Sequence, residues 1–240
     1  MRADIHDGQG ARNAPCNGPN TDARDQLSPD HYIRLAPHGR SIHKYMAKKG
    51  DPSGQSWGTF LRNHTPHIAA MDLFVVPTIG FIQLYVLVIV RLGRRELAWI
   101  NVTAHPTAEW IAQQLREAFP WNEAPGYLIR DRDGIYGAAV TRRLRAMGIR
   151  DKPIAPGSPW QNAYVERLIG TIRRECLDHM IVFGEAHLRR SLGKYAAYYN
   201  GSRIHRSLNK DAPFSRGIEH LGVITSRPIL GGLHHQYCRI

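Results

Sequence analysis

The sequence has few cysteines and no long apolar run, and these shortages exclude several classes of protein. Cys16, Cys176 and Cys238 form no Cys-x-x-Cys pair and leave an odd count. This argues against a disulfide framework or a zinc–thiolate site and fits a reducing cytosol. The N-terminus lacks the apolar core of a signal peptide, and the longest apolar run, residues 81–90, is too short to span a bilayer. We therefore expect a cytoplasmic protein without a membrane partner.

Acidic residues are also scarce. The chain has 20 Asp and Glu against 32 Lys and Arg, a formal net charge of +12 and a pI of about 10.0. Such a basic excess favours a polyanionic partner, of which nucleic acid is the commonest. The 240 residues suffice for one sizeable core or for a core domain with appendages.

Periodic patterns are missing from the first 40 residues or so. Glycine and proline interrupt every possible period there and the segment is polar, so we expect disorder. The basic residues 41–49 could form one or two helical turns. The predicted organisation is a disordered or remnant segment at residues 1–55, a core at residues 56–215 and an irregular tail at residues 216–240.

From His67 onward the patterns are typical of an α/β protein. Three apolar, β-branched segments joined by short turns predict an antiparallel meander. They lie at residues 68–76, 81–92 and 97–102. The order that follows is helix, strand, helix, strand, helix, helix. It predicts a mixed sheet with helices packed on its faces.

The stretch of residues 158–176 has the clearest helical signals. Ser158 can cap the helix, and Gln161 completes a capping box. Apolar residues then recur at helical spacing, and Glu166 lies at the edge of that stripe with Arg173 along the same flank. Taken alone, a helical glutamate is usually a solvated surface residue.

Two aspartates stand at informative positions. Asp72 lies inside the first strand, where a carboxylate is costly to bury without a partner; the alternative is an outward-facing residue on a half-solvated strand. Asp131 closes the fourth strand, where ligands of open sheets tend to bind, although the sequence there is also turn-like. With Glu166 they give three carboxylates that could converge. Oxygen-only ligands suit a hard cation such as Mg²⁺ or Mn²⁺.

These residues resemble the catalytic core of insertion-sequence transposases related to retroviral integrases. The resemblance rests on Asp72, on residues 130–136 and on Ser-Pro-Trp-Gln-Asn-x-x-x-Glu-Arg at residues 158–167, its most specific motif. Between Asp131 and Glu166 there are 34 residues (166 − 131 − 1), close to the spacing that marks this family. Including a Tyr-Asn…Arg-x-His…Leu pattern that begins at Tyr199, the resemblance covers about residues 55 to 215.

The resemblance implies a ribonuclease-H-like fold with a five-stranded mixed sheet, and a DNA transposase or integrase type of polynucleotidyl transferase. It implies two ions, Mg²⁺ or Mn²⁺, with Asp72 bridging both and Asp131 and Glu166 each completing one. A water would attack first, and the freed 3′ hydroxyl would then attack target DNA. Asp133 is the rival for the second acid, and Asp131 is preferred because its distance to Tyr136 matches the family pattern.

The resemblance also implies DNA as partner, both element ends and target, bound by a homo-oligomer at the nucleoid. The residues expected to contact DNA beside the third acid are Gln161, Asn162, Arg167, Arg173 and Arg174. A wider set expected on the phosphate backbone consists of Arg173, Arg174, Arg189, Arg190, Arg203 and Arg206, against the alternative of a solvated basic face.

The sequence departs from this family in several places. No DNA-reading domain is recognisable in residues 1–40, Ile204 stands where many relatives have proline, and the His234, His235 and Cys238 cluster lacks a fourth zinc ligand. We therefore expect a truncated or rearranged copy. The alternatives are a catalytically idle DNA-binding remnant and a structure-selective nuclease of the same fold.

Overall fold

The computed structural model describes residues 55–120, 123–217 and 220–240. The α-helices within these ranges are α1 (Trp57–His64), α2 (Ala108–Ala118), α3 (Ala138–Ala146), α4 (Ala163–Glu175) and α5 (Glu185–Gly201). The strands are β1 (Ile68–Pro77), β2 (Gln83–Arg91), β3 (Glu96–Thr103), β4 (Tyr127–Arg130), β5 (Arg150–Pro153), β6 (Ile224–Ile229) and β7 (His234–Arg239). The disordered segment and the helical turns predicted N-terminal to residue 55 lie outside the described residues.

Five strands form one mixed sheet in the order β3-β2-β1-β4-β5. The first three strands are antiparallel neighbours, as the meander predicted, while β4 and β5 run parallel to β1. Parallel neighbours need a crossover connection, and α2 and α3 supply the helices of these crossovers. The predicted five-stranded ribonuclease-H-like α/β fold is confirmed.

Helices cover both faces of the sheet because β1 and β2 are apolar on both sides. Ala69 and Met71 pack in a core with α2 and α3, whereas Ala70 and Phe74 pack in a second core with α4 and α5. This alternation follows the two-residue period of a strand. A helix on each face is therefore required to keep the central strands out of water.

The beginning of α4 differs from the prediction. Residues Pro159–Asn162 form a 3₁₀ turn, the Ser158 side chain makes no capping hydrogen bond, and the α-helix begins at Ala163. The Gln161 side chain accepts a hydrogen bond from the Ala155 backbone N–H at 2.8 Å instead of completing a capping box. A tertiary contact has thus replaced the local cap.

The C-terminal tail is more regular than predicted. Strands β6 and β7 form an antiparallel hairpin in which Ile224 pairs with Arg239. The His234 ring stacks on Tyr198 of α5, with centroids 4.4 Å apart, and donates to the carbonyl of Glu175 at 2.7 Å. The prediction of an irregular tail at residues 216–240 is therefore wrong for these strands, whose pairing and docking depend on distant contacts.

Helix α1 was not predicted from the sequence. Ser56 caps it by accepting from the Thr59 N–H at 3.2 Å. Phe60 is buried and meets the Tyr127 ring edge-on, with centroids 5.0 Å apart. Among the described helices, none is long and apolar enough to cross a membrane.

Candidate active site and nucleic-acid interface

The two candidate aspartates lie level with each other on neighbouring strands. Ala70 of β1 pairs with Ile129 of β4, and continuing this parallel register by two residues brings Asp72 opposite Asp131. Ala70 and Ile129 both belong to the core beneath α4 and α5, so the two-residue period points both aspartates toward the α4 face.

Helix α4 brings the third acid to the same place. The Asn162 side-chain amide donates to the Met71 carbonyl at 3.2 Å, and Arg173 donates to the Val75 carbonyl at 3.3 Å. The helix therefore runs alongside β1 in the same direction. Glu166 lies about one turn after Asn162, which places it beside the segment that contains Asp72.

The electrostatics agree with this convergence. Burial raises the pKa of Asp72 to about 7, against a hydrogen bond from the Leu73 N–H, and the charges of Asp131, Glu166 and Asp133 raise it further. Burial also raises the pKa of Asp131 and that of Glu166. The charges of Asp131 and Glu166 thus reach Asp72; Asp72 and Asp131 are half-buried, whereas Glu166 is exposed.

The acids are neighbours without forming a closed coordination shell. Within the ranges that the structure describes, no group of three or more His, Cys, Asp or Glu side chains is arranged to hold a metal ion. The donors are nevertheless carboxylate oxygens, which is the chemistry that a hard cation prefers.

The geometry favours Asp131 over its rival Asp133. Asp131 follows β4 directly and accepts a hydrogen bond from the Asp133 N–H at 3.3 Å. The exposed Asp133 carboxylate accepts from the Ile135 N–H at 3.1 Å, within its own turn. The charge of Asp133 also raises the pKa of Asp72, but less than that of Asp131, which is half-buried.

The residues expected to contact DNA lie in different environments. Arg173 and Arg174 are exposed, and the Arg173 guanidinium lies 5.3 Å from the centre of the Phe74 ring. Asn162 is only 2% exposed and points into the protein, so in this arrangement it positions α4. Gln161 is half-buried and bonded to Ala155. Direct DNA contact by these residues stays a prediction, as it does for the exposed Arg167.

Tyr136 lies near the candidate acids, and in the sequence only its distance from Asp131 was informative. It is buried, and burial and then the charges of Asp72, Asp131 and Asp133 raise its pKa. Its hydroxyl has no hydrogen-bond partner among the described residues, and the Arg130 guanidinium lies 5.4 Å from its ring centre. Its position three residues after Asp133 is the feature of the sequence that could have indicated its place near the acids.

Comparison with known proteins identifies part of this chain directly. Residues 147–213 match the family model of the integrase core domain. The chain is 37% identical over 82 residues to the "Insertion element IS407 uncharacterized 31.7 kDa protein" of Burkholderia multivorans, covering 34% of this chain and 30% of that protein. It is 36% identical over 66 residues to the "Insertion element IS476 uncharacterized 39.2 kDa protein" of Xanthomonas euvesicatoria, covering 28% and 19%. The matches thus span less than a third of either relative.

Solved structures with a similar fold include a chain of the simian T-cell lymphotropic virus intasome in complex with PP2A regulatory subunit B56 gamma. The TM-score is 0.51 at 15% identity, over 72% of this chain and 66% of that one. The HTLV-2 integrase catalytic core domain in complex with magnesium (trimeric form) gives a TM-score of 0.47 at 14% identity, over 60% and 92%.

The fold is similar to that of the intasome chain. Residues 147–213 match the integrase core domain, and parts of the chain are similar to two insertion-element proteins, in agreement with the resemblance that the motifs indicated.

Proposed function

We propose that this protein is a DNA strand-transferase of the transposase type, which cleaves DNA and joins the freed end to target DNA. The observation that carries the proposal is the convergence of Asp72, Asp131 and Glu166 in one region where all three pKa values are raised. The match of residues 147–213 to the integrase core domain, which includes the third acid, supports it.

The carboxylate chemistry of the three acids suits divalent metal ions, Mg²⁺ or Mn²⁺, and by resemblance two of them, although the described side chains are not arranged as a metal site. A bound cation would lower these raised pKa values, because it favours the ionised forms. When bound, such ions supply Lewis-acid activation of the attacking and leaving oxygens. Asp72, Asp131 and Glu166 would hold these ions.

The positive charges on α4 would hold the DNA backbone. Arg173 is anchored at the Val75 carbonyl and over the Phe74 ring, about two turns beyond Glu166. A guanidinium held there suits a phosphate beside the acids. Gln161 and Arg174 are the further DNA contacts that we propose beside the acids, and Arg167 is a proposed DNA contact on another flank of the helix. A homo-oligomer on DNA, working in the cytoplasm at the nucleoid, completes the proposal.

The test is cleavage and strand joining with purified protein. We expect nicking of supercoiled plasmid, and joining of a labelled duplex oligonucleotide to plasmid, only with Mg²⁺ or Mn²⁺. Asp72→Asn, Asp131→Asn and Glu166→Gln should each reduce both rates at least about 100-fold, because each removes a charged ligand worth several kcal/mol in the transition state.

Asp133→Asn is the matched control, since it removes one charge from the same loop. We expect it to retain most of the activity. If the three variants cut like the wild type, the site assignment is wrong. If the wild type binds DNA with a steep salt dependence but neither cuts nor joins it with either metal, the protein is the idle DNA-binding remnant.

A further inference from the structure

A second basic site lies on the flank of α4 that faces away from Glu166. Tyr164, Arg167 and Thr171 are placed roughly 100° to 160° around the helix from Glu166. They line a groove of about 410 Å³ together with Arg95 and the segment that follows α5. We define the arginine groove by Arg95, Tyr164, Arg167, Arg203 and Arg206.

The charge of this groove is almost uncompensated. Arg203 forms a two-pronged ion pair with Glu175, at 2.6 and 2.8 Å. In the described part of the chain, the guanidinium groups of Arg95, Arg167 and Arg206 form no ion pair, and none of the described residues lining the groove is acidic. Three positive charges therefore converge without a counter-charge, which costs free energy unless an anion joins them.

Histidine does not change this balance. His205 lines the groove and is 6% exposed. Burial, followed by the charge of Arg203, lowers the pKa of His205 to about 4. It is therefore neutral near pH 7, and arginines that stay charged at any physiological pH supply the positive potential.

Two of the guanidinium groups are held in place. Arg95 occupies the turn between β2 and β3 with φ of +59°, and its guanidinium lies 5.8 Å from the centre of the Tyr164 ring. Arg203 is fixed by Glu175 and lies 5.6 Å from the centre of the Tyr199 ring. Held guanidinium groups lose less side-chain entropy when they bind, and their planar geometry matches phosphate oxygens.

We propose that the arginine groove binds the phosphodiester backbone of duplex DNA at a place separate from the carboxyl cluster. The inference rests on the proposed function in that DNA is the substrate. Helix α4 would then lie between two segments of DNA, one beside Glu166 and Arg173 and one along Arg95, Arg167 and Arg206.

The experiment measures binding without cutting. In an Asp72→Asn background without divalent metal, anisotropy of a fluorescein-labelled 30-base-pair duplex gives the affinity across a KCl series. Replacing Arg95, Arg167 and Arg206 together by Gln should make the negative slope of log K against log [KCl] shallower by about 2 to 3. Each lost phosphate contact reduces the magnitude of the slope by about 0.9.

A matched triple variant on the other sheet face is the control. Arg116 of α2 and Arg142 and Arg145 of α3 are exposed, and replacing them by Gln removes the same charge. We expect the salt-dependence slope of this control variant to equal that of the Asp72→Asn parent protein. The single Arg206→Gln variant should lower the slope by about 1 and replaces the groove triple if the triple fails to fold.

Equal slopes for the groove variant and the control variant overturn the proposal. The proposal is also overturned if the groove variant loses self-association in sedimentation while its salt-dependence slope stays unchanged, because the groove would then be a contact between copies of the chain. The measurement needs no metal and no cleavage. A wild-type protein that never cuts DNA would therefore refute the proposed function and leave the result for the groove intact.

Discussion

The buried carboxyl group of Asp72 should destabilise the metal-free protein, and Asp72→Asn should relieve that cost. The unfolded chain releases the Asp72 proton near pH 3.8, whereas the folded chain keeps it to about pH 7. Between these values the folded state binds more protons than the unfolded state. The contribution of Asp72 to folding stability therefore falls as the pH rises through this window and stays low above it.

The size of the effect follows from the shift. A difference of about 3 pKa units, at 1.36 kcal/mol each, gives an upper bound of about 4 kcal/mol. Asp72 is only half-buried and water reaches part of it, so we expect about 2 to 3 kcal/mol. Asparagine has nearly the same shape, and its side-chain oxygen can still accept the hydrogen bond from the Leu73 N–H.

Urea denaturation in EDTA at pH 4 to 8 measures this difference. The variant should gain stability over the wild type between pH 4 and 7, and the difference should level off above pH 7. Asp178→Asn removes an exposed aspartate and should show no such growth. A wild type as stable as the variant at pH 8 would show that Asp72 is not a desolvated acid, and the electrostatic argument for the site would fail.

Two further predictions concern α4 and its last turn. Glu175→Gln weakens the ion pair between Glu175 and Arg203, whose side chains are 30% and 24% exposed, and should reduce the unfolding free energy in urea by about 1 to 2 kcal/mol. Glu185→Gln removes the more exposed ion pair with Arg189 and should reduce the unfolding free energy by less than about 0.5 kcal/mol. Equal effects of the two variants would refute this ranking. Burial raises the pKa of Cys176 to about 11, so only about 0.1% is thiolate at pH 8. Mass spectrometry after iodoacetamide treatment should find Cys176 unmodified in the native protein and alkylated in guanidinium, and equal labelling would contradict its burial.

The strands of the core could be predicted because each carries its own pattern. The continuous apolar run of β2 indicated a strand buried on both faces, and Val86, Leu87 and Val88 are fully buried. Asp72 stood out because it interrupts such a pattern. The relation between Asp72 and Asp131 was indicated by their places on two strands and by the family resemblance, and the parallel register of β1 and β4 now gives it a physical cause.

Features that depend on tertiary contacts were not accessible in this way. Ser158 and Gln161 have the composition of a capping box, yet the Ala155 N–H competes for the Gln161 side chain. The hairpin of β6 and β7 carries weak strand signals, and its docking rests on His234, which reaches Tyr198 and Glu175 across the fold. Local propensity is a weak predictor wherever such distant partners decide the conformation.

The pairing of the acids separates structural carboxylates from candidate catalytic ones. Asp151 pairs with Arg130 at 2.7 Å, and Glu175 pairs with Arg203 at 2.6 Å. The remaining ion pairs of the described residues likewise leave out the three candidate catalytic acids, namely Asp72, Asp131 and Glu166.

Arg173 shares a helix flank with Glu166 but lies about two turns further along α4, and its guanidinium is engaged by the Val75 carbonyl and the Phe74 ring. An arginine paired with Glu166 would lower the pKa of that carboxyl and compete with a cation for its oxygens. The fold holds Arg173 against β1, so that its positive charge does not neutralise Glu166. The proposed function, in which the site receives both a divalent cation and a phosphate, would need this separation of charges.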